Sequence, residues 1–293
     1  MFGLLLKVFE YLTPLSTLTY LSSKLTDAKM GSTTQWLIRK FIATYNIDVQ
    51  ECEQTDLTKY ETFNDFFIRK LKADARPIAK EDECTAVSPV DGTVGQAQEI
   101  KAGRLIQAKG VDYSLSGLLG NRQEDTSLFA GGNFACIYLS PANYHRIHMP
   151  MQGKLLRTIH IPGRHFPVGK RNVSYMNDLF TKNERLVCIF QTEKGPMAVI
   201  MVGAALVGSI GTVWDGTVVR RSGIEVKDYS AQNLTFERGA EIGHFKFGST
   251  VITLWPQSLG ALDPNIQSGK KVKMGQSMIG NMCLHDATFS SDK

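Results

Sequence analysis

The chain has 293 residues, of which 43% are apolar and 21% charged, which suits one large globular domain with a sizeable core rather than a repeat array. A net charge of +5 is too small to indicate nucleic-acid binding by itself. The five cysteines are odd in number and never form a C-x-x-C pair, which argues against a disulfide framework and a structural zinc site and favours a reducing compartment.

The first 45 residues predict three amphipathic helices. Apolar residues recur at helical spacing in each, namely Phe2, Leu5, Leu6, Phe9 and Leu12, then Leu15, Leu18, Leu21 and Leu25, then Trp36, Leu37, Phe41 and Tyr45. Pro14 ends the first run after about 12 residues, which reach only about 18 Å, whereas a hydrocarbon core is about 30 Å thick. This helix is therefore too short to span a membrane, and Glu10 within it argues against a secretory signal.

Two interpretations of these helices stay open. They could pack on a protein core, or they could lie in a membrane interface without crossing it. The second interpretation is favoured by the phenylalanines and leucines of the first helix and by the basic residues that follow it, Lys24, Lys29, Arg39 and Lys40.

A further amphipathic helix is predicted in "ETFNDFFIRKLKADARPI", which Pro77 ends. Its apolar face consists of Phe63, Phe66, Phe67 and Leu71, and its basic face of Arg69, Lys70, Lys72 and Arg76. The basic face either meets solvent or touches anionic lipid headgroups, at about 1 kcal/mol per basic residue near the surface. Residues 1–76 are thus expected to form an amphipathic, membrane-associating helical region, and residues 77–293 a β-rich domain.

From about residue 84 the sequence predicts short strands. The β-branched runs are "CTAVSPVDGTVGQAQEI", "GRLIQAKGV", "NFACIYLSP", "GKLLRTIHI", "RLVCIFQT", "GPMAVIMVGAALVGSIGTVW" and "VITLWP", each cut by Gly, Pro or Asp. This spacing is typical of a β-sandwich or barrel and not of βαβ units. The expected fold class is α+β, mainly β, with a flattened barrel or sandwich core.

Three stretches of this domain could carry chemistry. Asp91 lies in "SPVDGTV", where an Asp-Gly pair by itself indicates a tight turn. His145 and His148 lie in "NYHRIHMP", and their spacing, like that of His160 and His165, matches no zinc pattern, which favours acid–base roles over metal binding.

The third stretch is "FGST", which interrupts the strand-like "EIGHFKFGSTVITLWP" with a glycine and two hydroxyl residues at Gly248, Ser249 and Thr250. No Asn-Gly or Pro-Gly turn signal explains the interruption. The flanks on both sides are expected to belong to one continuous strand.

Together these stretches resemble the phosphatidylserine decarboxylases, a family of membrane-associated enzymes with a self-made pyruvoyl group. The similarity extends over nearly the whole chain and includes "TFNDFFIRKLKADARPI", "SPVDGTV", "IQAKGVDYSLSGLLG", "FACIYLSPANYHRIHMP", "VGAALVGSI" and "GAEIGHFKFGSTVI". The family's cleavage motif most often begins with Leu, whereas Phe247 stands there in this chain and leaves the Gly-Ser pair intact.

The resemblance implies self-cleavage between Gly248 and Ser249, giving a β chain of residues 1–248 and an α chain of residues 249–293. Ser249 would attack the Gly248 carbonyl and end as one pyruvoyl group per protomer, while His148 acts as the base and Asp91 orients it. The pyruvoyl ketone would form a Schiff base with the substrate amine and accept the electrons released with CO2, with no metal. His145 would be the proton donor in decarboxylation.

The resemblance also implies the substrate, phosphatidylserine, and the product, phosphatidylethanolamine. Arg146, Arg164 and Lys170 are candidates to bind its phosphodiester, and the sequence does not choose among them. The implied partners are an anionic membrane surface on the cytoplasmic side and a second αβ unit in a homodimer, with no nucleic acid. A membrane-docked β-barrel binding module that never cleaves itself, and a soluble pyruvoyl decarboxylase of a free amino acid, are the alternatives.

Overall fold

A computed structural model describes residues 24–80, 84–108, 111–204, 209–219, 221–246 and 249–280. Its α-helices are α1 Ser32–Tyr45, α2 Phe63–Phe67, α3 Leu115–Leu118, α4 Gln123–Phe129, α5 Lys170–Tyr175 and α6 Leu179–Lys182. Its strands are β1 Cys84–Val87, β2 Gly92–Glu99, β3 Arg104–Ala108, β4 Val111–Ser114, β5 Asn133–Leu139, β6 Arg146–His148, β7 Gly153–Ile161, β8 Arg185–Thr192, β9 Gly195–Val202, β10 Ile210–Thr212, β11 Gly216–Thr217, β12 Glu225–Asp228, β13 Thr235–Phe236, β14 Glu241–Phe245, β15 Ser249–Trp255, β16 Lys271–Val272 and β17 Ser277–Gly280.

Most of these strands form one antiparallel sheet in the order β12-β7-β8-β9-β15-β5-β2-β16, with β13 also paired to β7. Its central strand β15 is buried along its whole length, as expected for an apolar run covered on both faces. It pairs with β5, where Ser249 lies opposite Leu139, and with β9, where Val251 lies opposite Met201.

A smaller antiparallel sheet, in the order β11-β10-β14-β6, packs on one face of the large one. The contact is close at Gly243 of β14, because a Cβ there would lie 3.0 Å from the Cε of Met201. Met201 and Val251 share a face of the large sheet because they are opposite each other, and Ser249 shares it because side chains alternate along a strand. Ser249 therefore faces the small sheet.

The N-terminal helices build a second, smaller core of their own. Its buried members are Ile38, Ile47, Tyr60, Phe63, Phe66 and Phe67. Helix α2 begins with a capping box in which the Thr62 hydroxyl accepts from the Asp65 backbone N–H and the Asp65 carboxylate accepts from the Thr62 N–H. Within the described part of the chain, no helix is long and apolar enough to cross a membrane.

The mainly β fold class is confirmed, and each predicted strand run contains at least one observed strand. The described strands form open sheets that end at β12 and β16, so a sandwich-like core fits and a closed barrel is not formed by them. The third predicted helix is confirmed as α1. The first two predicted helices, which begin near Phe2 and Leu15, lie outside the described residues apart from Leu25. The membrane attachment expected of them therefore stays a prediction.

The predicted fourth helix is confirmed only over Phe63–Phe67, and the helical basic face expected of Arg69, Lys70, Lys72 and Arg76 is wrong. Helix α2 ends at Phe67, before any of the four, and Lys70 and Lys72 are exposed. Arg69 and Arg76 are buried, only 5% and 7% exposed. A guanidinium at the expected positions on a regular helix would have met solvent, but the irregular backbone after α2 turns both side chains inward.

Candidate active site

Ser249 lies where the chain passes from one sheet to the other. The strand before it, β14, belongs to the small sheet, and Ser249 is the first residue of β15 in the large one. The expectation of one continuous strand is therefore wrong, because the two flanks pair with different partners. Phe247 and Gly248 lie outside the described residues.

The Ser249 hydroxyl is buried without a partner. The residue is fully shielded from solvent, and its Oγ has no hydrogen bond to any other described residue. A buried hydroxyl left unpaired costs about 1–3 kcal/mol, so its retention at this position needs an explanation.

His148 ends strand β6 of the small sheet, which β14 holds in place through the pairing of Glu241 with His148. Its Nδ1 lies 2.7 Å from the Gly239 carbonyl oxygen, which can only accept, so Nδ1 carries the proton. Its Nε2 is therefore the accepting nitrogen, and the Tyr144 hydroxyl donates to it at 3.0 Å. Burial lowers the pKa of His148, opposed in part by the hydrogen bond to Gly239, so the ring is a neutral base.

Asp91 is near His148 but is not bonded to it. Its carboxylate accepts three hydrogen bonds from Arg76, at 2.7 to 3.1 Å, and one from the Met274 backbone N–H at 2.9 Å. Arg76 also pairs with Glu51 at 2.9 Å. The His148 backbone N–H donates to the Pro89 carbonyl at 2.9 Å, two residues before Asp91, and the negative charge of Asp91 acts to raise the pKa of His148.

His145 lies just before β6 and is wholly buried. Its Nδ1 lies 2.8 Å from the Asn143 carbonyl oxygen, so Nδ1 donates and Nε2 bears the lone pair, which has no partner among the described residues. The Phe67 ring of α2 packs against the imidazole with centroids 4.1 Å apart. Burial first, and the positive charge of Arg69 second, lower the pKa of His145 to about 3.

The three candidate phosphodiester ligands lie on different elements of the structure. Arg146 is already paired with Glu241 at 2.6 and 2.8 Å and donates to the Ile68 carbonyl. Arg164 is exposed in the loop after β7, and Lys170 begins α5, with its side chain outside the described atoms.

His160 and His165 are buried and both hydrogen-bond to Glu184, at 3.0 and 2.8 Å. Across the portion of the chain that the structure describes, no group of three or more His, Cys, Asp or Glu side chains could hold a metal ion.

Sequence reasoning missed Tyr144, Arg76 and Arg69 as members of this region. Tyr144 stands beside the histidines in "NYHRIH", and its proximity was the available signal. Nothing in the pattern around Arg76 or Arg69 distinguishes them from the exposed lysines beside them. Only the tertiary structure shows that these two basic side chains are buried.

The sequence is similar to proteins of one known family. A family model described as phosphatidylserine decarboxylase matches residues 63–280, and one described as PSD matches residues 7–46. A phosphatidylserine decarboxylase proenzyme of Coxiella burnetii is 47% identical over 279 residues, covering 95% of this chain and 98% of the relative. Proenzymes of the same name from Psychromonas ingrahamii and Shewanella pealeana are 45% and 46% identical, covering 91% and 92% of this chain and 94% and 95% of the relatives.

These similarities extend over both the N-terminal helices and the β-rich part and include every residue discussed above from Arg69 to Ser249. Because the matching family model covers well over half of the sequence and several relatives exceed 40% identity over more than nine-tenths of it, the chain belongs to the phosphatidylserine decarboxylase family.

Proposed function

We propose that this chain is a carboxy-lyase that converts phosphatidylserine to phosphatidylethanolamine with a pyruvoyl group made from its own Ser249. Family membership and the proenzyme name of the relatives support the reaction and the processing. The structural observation that carries the proposal is the buried, unpartnered Ser249 hydroxyl at the point where the chain changes sheet.

The proposed self-cleavage begins at the Ser249 hydroxyl. The hydroxyl attacks the Gly248 carbonyl carbon, the peptide C–N bond breaks, and an ester to Oγ forms while the Ser249 nitrogen is freed. His148 takes the hydroxyl proton at Nε2, for which the Tyr144 hydroxyl must move aside. Loss of the Ser249 α-proton then breaks the Cβ–Oγ bond and releases residues 1–248 as a carboxylate, and hydrolysis frees the nitrogen as ammonia.

Asp91 supports this step through its charge. It lies close enough to raise the pKa of the His148 imidazole, which stabilises the imidazolium that forms when the proton is taken. Arg76 fixes the carboxylate but also offsets part of its charge. Asp91 is thus proposed to assist His148 without a direct hydrogen bond.

The residues around Ser249 fit a pyruvoyl group, because a small carbonyl there would replace a hydroxyl that has no partner. When formed, that group supplies a ketone that binds the substrate amine and withdraws electrons as CO2 leaves. His145 is proposed to donate the proton that the substrate Cα takes up after CO2 has left. Its Nε2 bears a lone pair, so the ring takes up a proton before returning one to carbon.

A denaturing mass spectrum of the purified protein tests the proposal. We expect two fragments, residues 1–248 and residues 249–293, with the smaller one blocked to Edman degradation and reactive to borohydride. Ser249→Ala should stay whole and inactive, while Ser268→Ala, which removes a surface hydroxyl bonded to the Gly95 carbonyl, should be processed as the wild type is. One intact chain in a preparation that releases CO2 would refute the pyruvoyl mechanism. An intact chain that binds membranes and releases no CO2 would indicate a binding module.

Peripheral attachment to the cytoplasmic side of the cell membrane is part of the same proposal, as is a homodimer of αβ units. Attachment is supported by the apolar faces of the first two predicted helices and by the exposed side chains Leu25 and Trp36, which are 58% and 56% exposed. Trp side chains favour the membrane–water interface. The dimer rests on the family resemblance alone.

A further inference from the structure

Three arginines are buried among the described residues, and two of them have evident partners. Arg76 is paired with Asp91 and Glu51. Arg185 donates from all three nitrogens to backbone carbonyls, those of Leu118, Thr181, Asn183 and Gly117. The burial of both side chains is therefore explained by their partners within the protein.

The third, Arg69, does not. Its Nη2 donates to the Ala142 carbonyl at 3.2 Å, and its guanidinium carbon lies 5.2 Å from the centre of the Phe66 ring. Its Nε and Nη1 are buried without a hydrogen-bond acceptor, and no described carboxylate pairs with it. The nearby Cys52 thiol does not neutralise the charge, because burial raises the pKa of Cys52 and keeps the thiol protonated.

A buried guanidinium that no carboxylate contacts is costly, because removing a charge from water is offset only when an opposite charge or a full set of acceptors replaces the water. The Asp91 carboxylate acts to raise the pKa of Arg69, but it is hydrogen-bonded to Arg76 instead. Surface basic residues avoid this cost. An anion that accepts hydrogen bonds from Nε or Nη1 of Arg69 would offset this cost.

The position of Arg69 connects it to the candidate active site. The loop 140–145 starts after Leu139, which lies opposite Ser249 in the sheet, and ends at His145. Arg69 donates to Ala142, in the middle of this loop, and its charge contributes to the low pKa of His145. Ser249, His145 and Arg69 each have buried polar atoms without a partner, and all three residues lie beside or within this loop.

We propose that Arg69 binds the phosphodiester of the lipid substrate through the N–H groups that lack a protein acceptor. The inference rests on the proposed function and extends it, since Arg146 is already paired and Arg164 is exposed. A guanidinium N–H forms a short, charge-assisted hydrogen bond with a phosphate oxygen, and the guanidinium keeps its positive charge when it is buried. The phosphodiester keeps its charge throughout the reaction, whereas the substrate carboxylate leaves as neutral CO2, and strong binding of the carboxylate would stabilise the ground state and slow its loss.

The test compares Arg69→Gln and Arg69→Lys with the wild type. Steady-state rates are measured on phosphatidylserine in detergent micelles, together with inhibition by the product phosphatidylethanolamine, which has the phosphodiester but no carboxylate. We expect Arg69→Gln to raise KM about 10- to 100-fold, the range for loss of a charge-assisted hydrogen bond, and to weaken product inhibition by the same factor. Arg69→Lys keeps a point charge and should lose several-fold less. Arg104→Gln, an exposed arginine on β3, is the control for net charge and should match the wild type.

The possible outcomes distinguish binding of the phosphodiester from binding of the carboxylate and from no binding by Arg69. A rise in KM with unchanged product inhibition would mean that Arg69 binds the carboxylate, which overturns the phosphodiester assignment. An unchanged KM in both variants overturns the proposal. If Arg69→Gln does not fold, the test rests on Arg69→Lys. A KM of this variant within twofold of the wild type would show that the guanidinium N–H donors are not needed, which would overturn the proposal. Absence of cleavage in the wild type would instead refute the proposed function, and this is read from the same samples by mass.

Discussion

At the scale of single residues, two groups of the candidate site are buried without a hydrogen-bond partner among the described residues. Ser249 Oγ and His145 Nε2 each lack a hydrogen bond within the described structure, and each costs about 1–3 kcal/mol in that state. His148, in contrast, has both ring nitrogens engaged. The two histidines therefore differ in whether Nε2 has a hydrogen-bond partner, although only two residues separate them in the sequence.

Substitution of each histidine should separate the two steps. His148→Ala should accumulate uncleaved chain, because the Ser249 hydroxyl loses its base. His145→Ala should cleave and then turn over poorly, losing about 10²–10⁴-fold for a missing acid–base group. A time course of cleavage by mass beside CO2 release checks both. Normal maturation of His148→Ala, or full activity of His145→Ala, would contradict the assignment.

The Asp91–Arg76 pair gives a second prediction. Asp91→Asn should slow cleavage because the charge that supports the His148 imidazolium is lost. Arg76→Gln should also slow cleavage, because Asp91 would lose three of its four hydrogen bonds and its fixed position. Cleavage rates measured at equal folded fraction distinguish this from simple unfolding. A direct Asp91–His148 contact in the reacting state would leave Arg76→Gln close to the wild-type rate.

Acid should destabilise the protein through His145. Its pKa is about 3 in the folded state and about 6.5 when unfolded, so the unfolded chain binds the extra proton between these values. Stability contributed by the neutral ring is present above pH 6.5 and falls as the pH drops toward 3, by about 2 kcal/mol at pH 5. Urea unfolding at pH 7 and pH 5 should show a smaller loss for His145→Gln than for the wild type. Equal losses would show that His145 does not cause the acid sensitivity.

The residues of the candidate site could be proposed from the sequence, whereas their hydrogen-bond partners could not. The Gly-Ser pair and the histidine stretch resemble family motifs, so Ser249, His148 and His145 could be selected from the sequence. That Asp91 contacts Arg76 and not His148 depends on how the backbone after α2 folds back, over a segment with no regular periodicity. The burial of Arg69 has the same origin.

At the scale of elements, alternation and β-branched composition located the long buried strands, because strands of this kind have a strong local signal. The short strands β6, β12, β13, β16 and β17 were not predicted, since two to four residues carry too little pattern. The change of sheet between β14 and β15 was also missed, because alternation shows which residues share a face and not which strand is the neighbour.

The tight contact between the sheets should be sensitive to volume at Gly243. A Cβ there would lie 2.4 Å from the Gly211 carbonyl oxygen and 3.0 Å from the Met201 Cε, so β10 and β14 must separate. Gly243→Ala should lower the free energy of unfolding by about 1–3 kcal/mol or more and slow self-cleavage by displacing β6. Gly223→Ala, where a Cβ meets nothing within 4 Å, is the matched control. Equal stability of the two variants would contradict the close packing.

At the scale of the whole molecule, the helical region and the β-rich part are joined at the site itself. Phe67 of the helical core packs on His145, Arg69 bonds to the loop 140–145, and Arg76 holds Asp91. Residues on both sides of the boundary expected near residue 76 therefore contact residues of the candidate site. A lipid headgroup bound near the helices would lie close to the reacting groups without a long transfer.

Membrane attachment should have an apolar and a salt-sensitive part that come from different segments. Deleting residues 1–13 removes the apolar face of Phe2, Leu5 and Phe9, so we expect most of the protein to leave anionic vesicles on pelleting while self-cleavage continues. Full pelleting of the truncated protein would place the anchor elsewhere.

The salt-sensitive part should come from exposed lysines and not from the buried Arg69 and Arg76. Lys70→Gln with Lys72→Gln should therefore reduce binding at low salt and flatten its salt dependence, since each exposed basic residue near an anionic surface contributes about 1 kcal/mol that salt screens. Pelleting at 50 and 500 mM salt measures both effects, with Lys154→Gln on β7 as a control for net charge. An unchanged salt dependence in the double variant would mean that this segment does not face the membrane, and the substrate would then reach Ser249 from another side of the helical core.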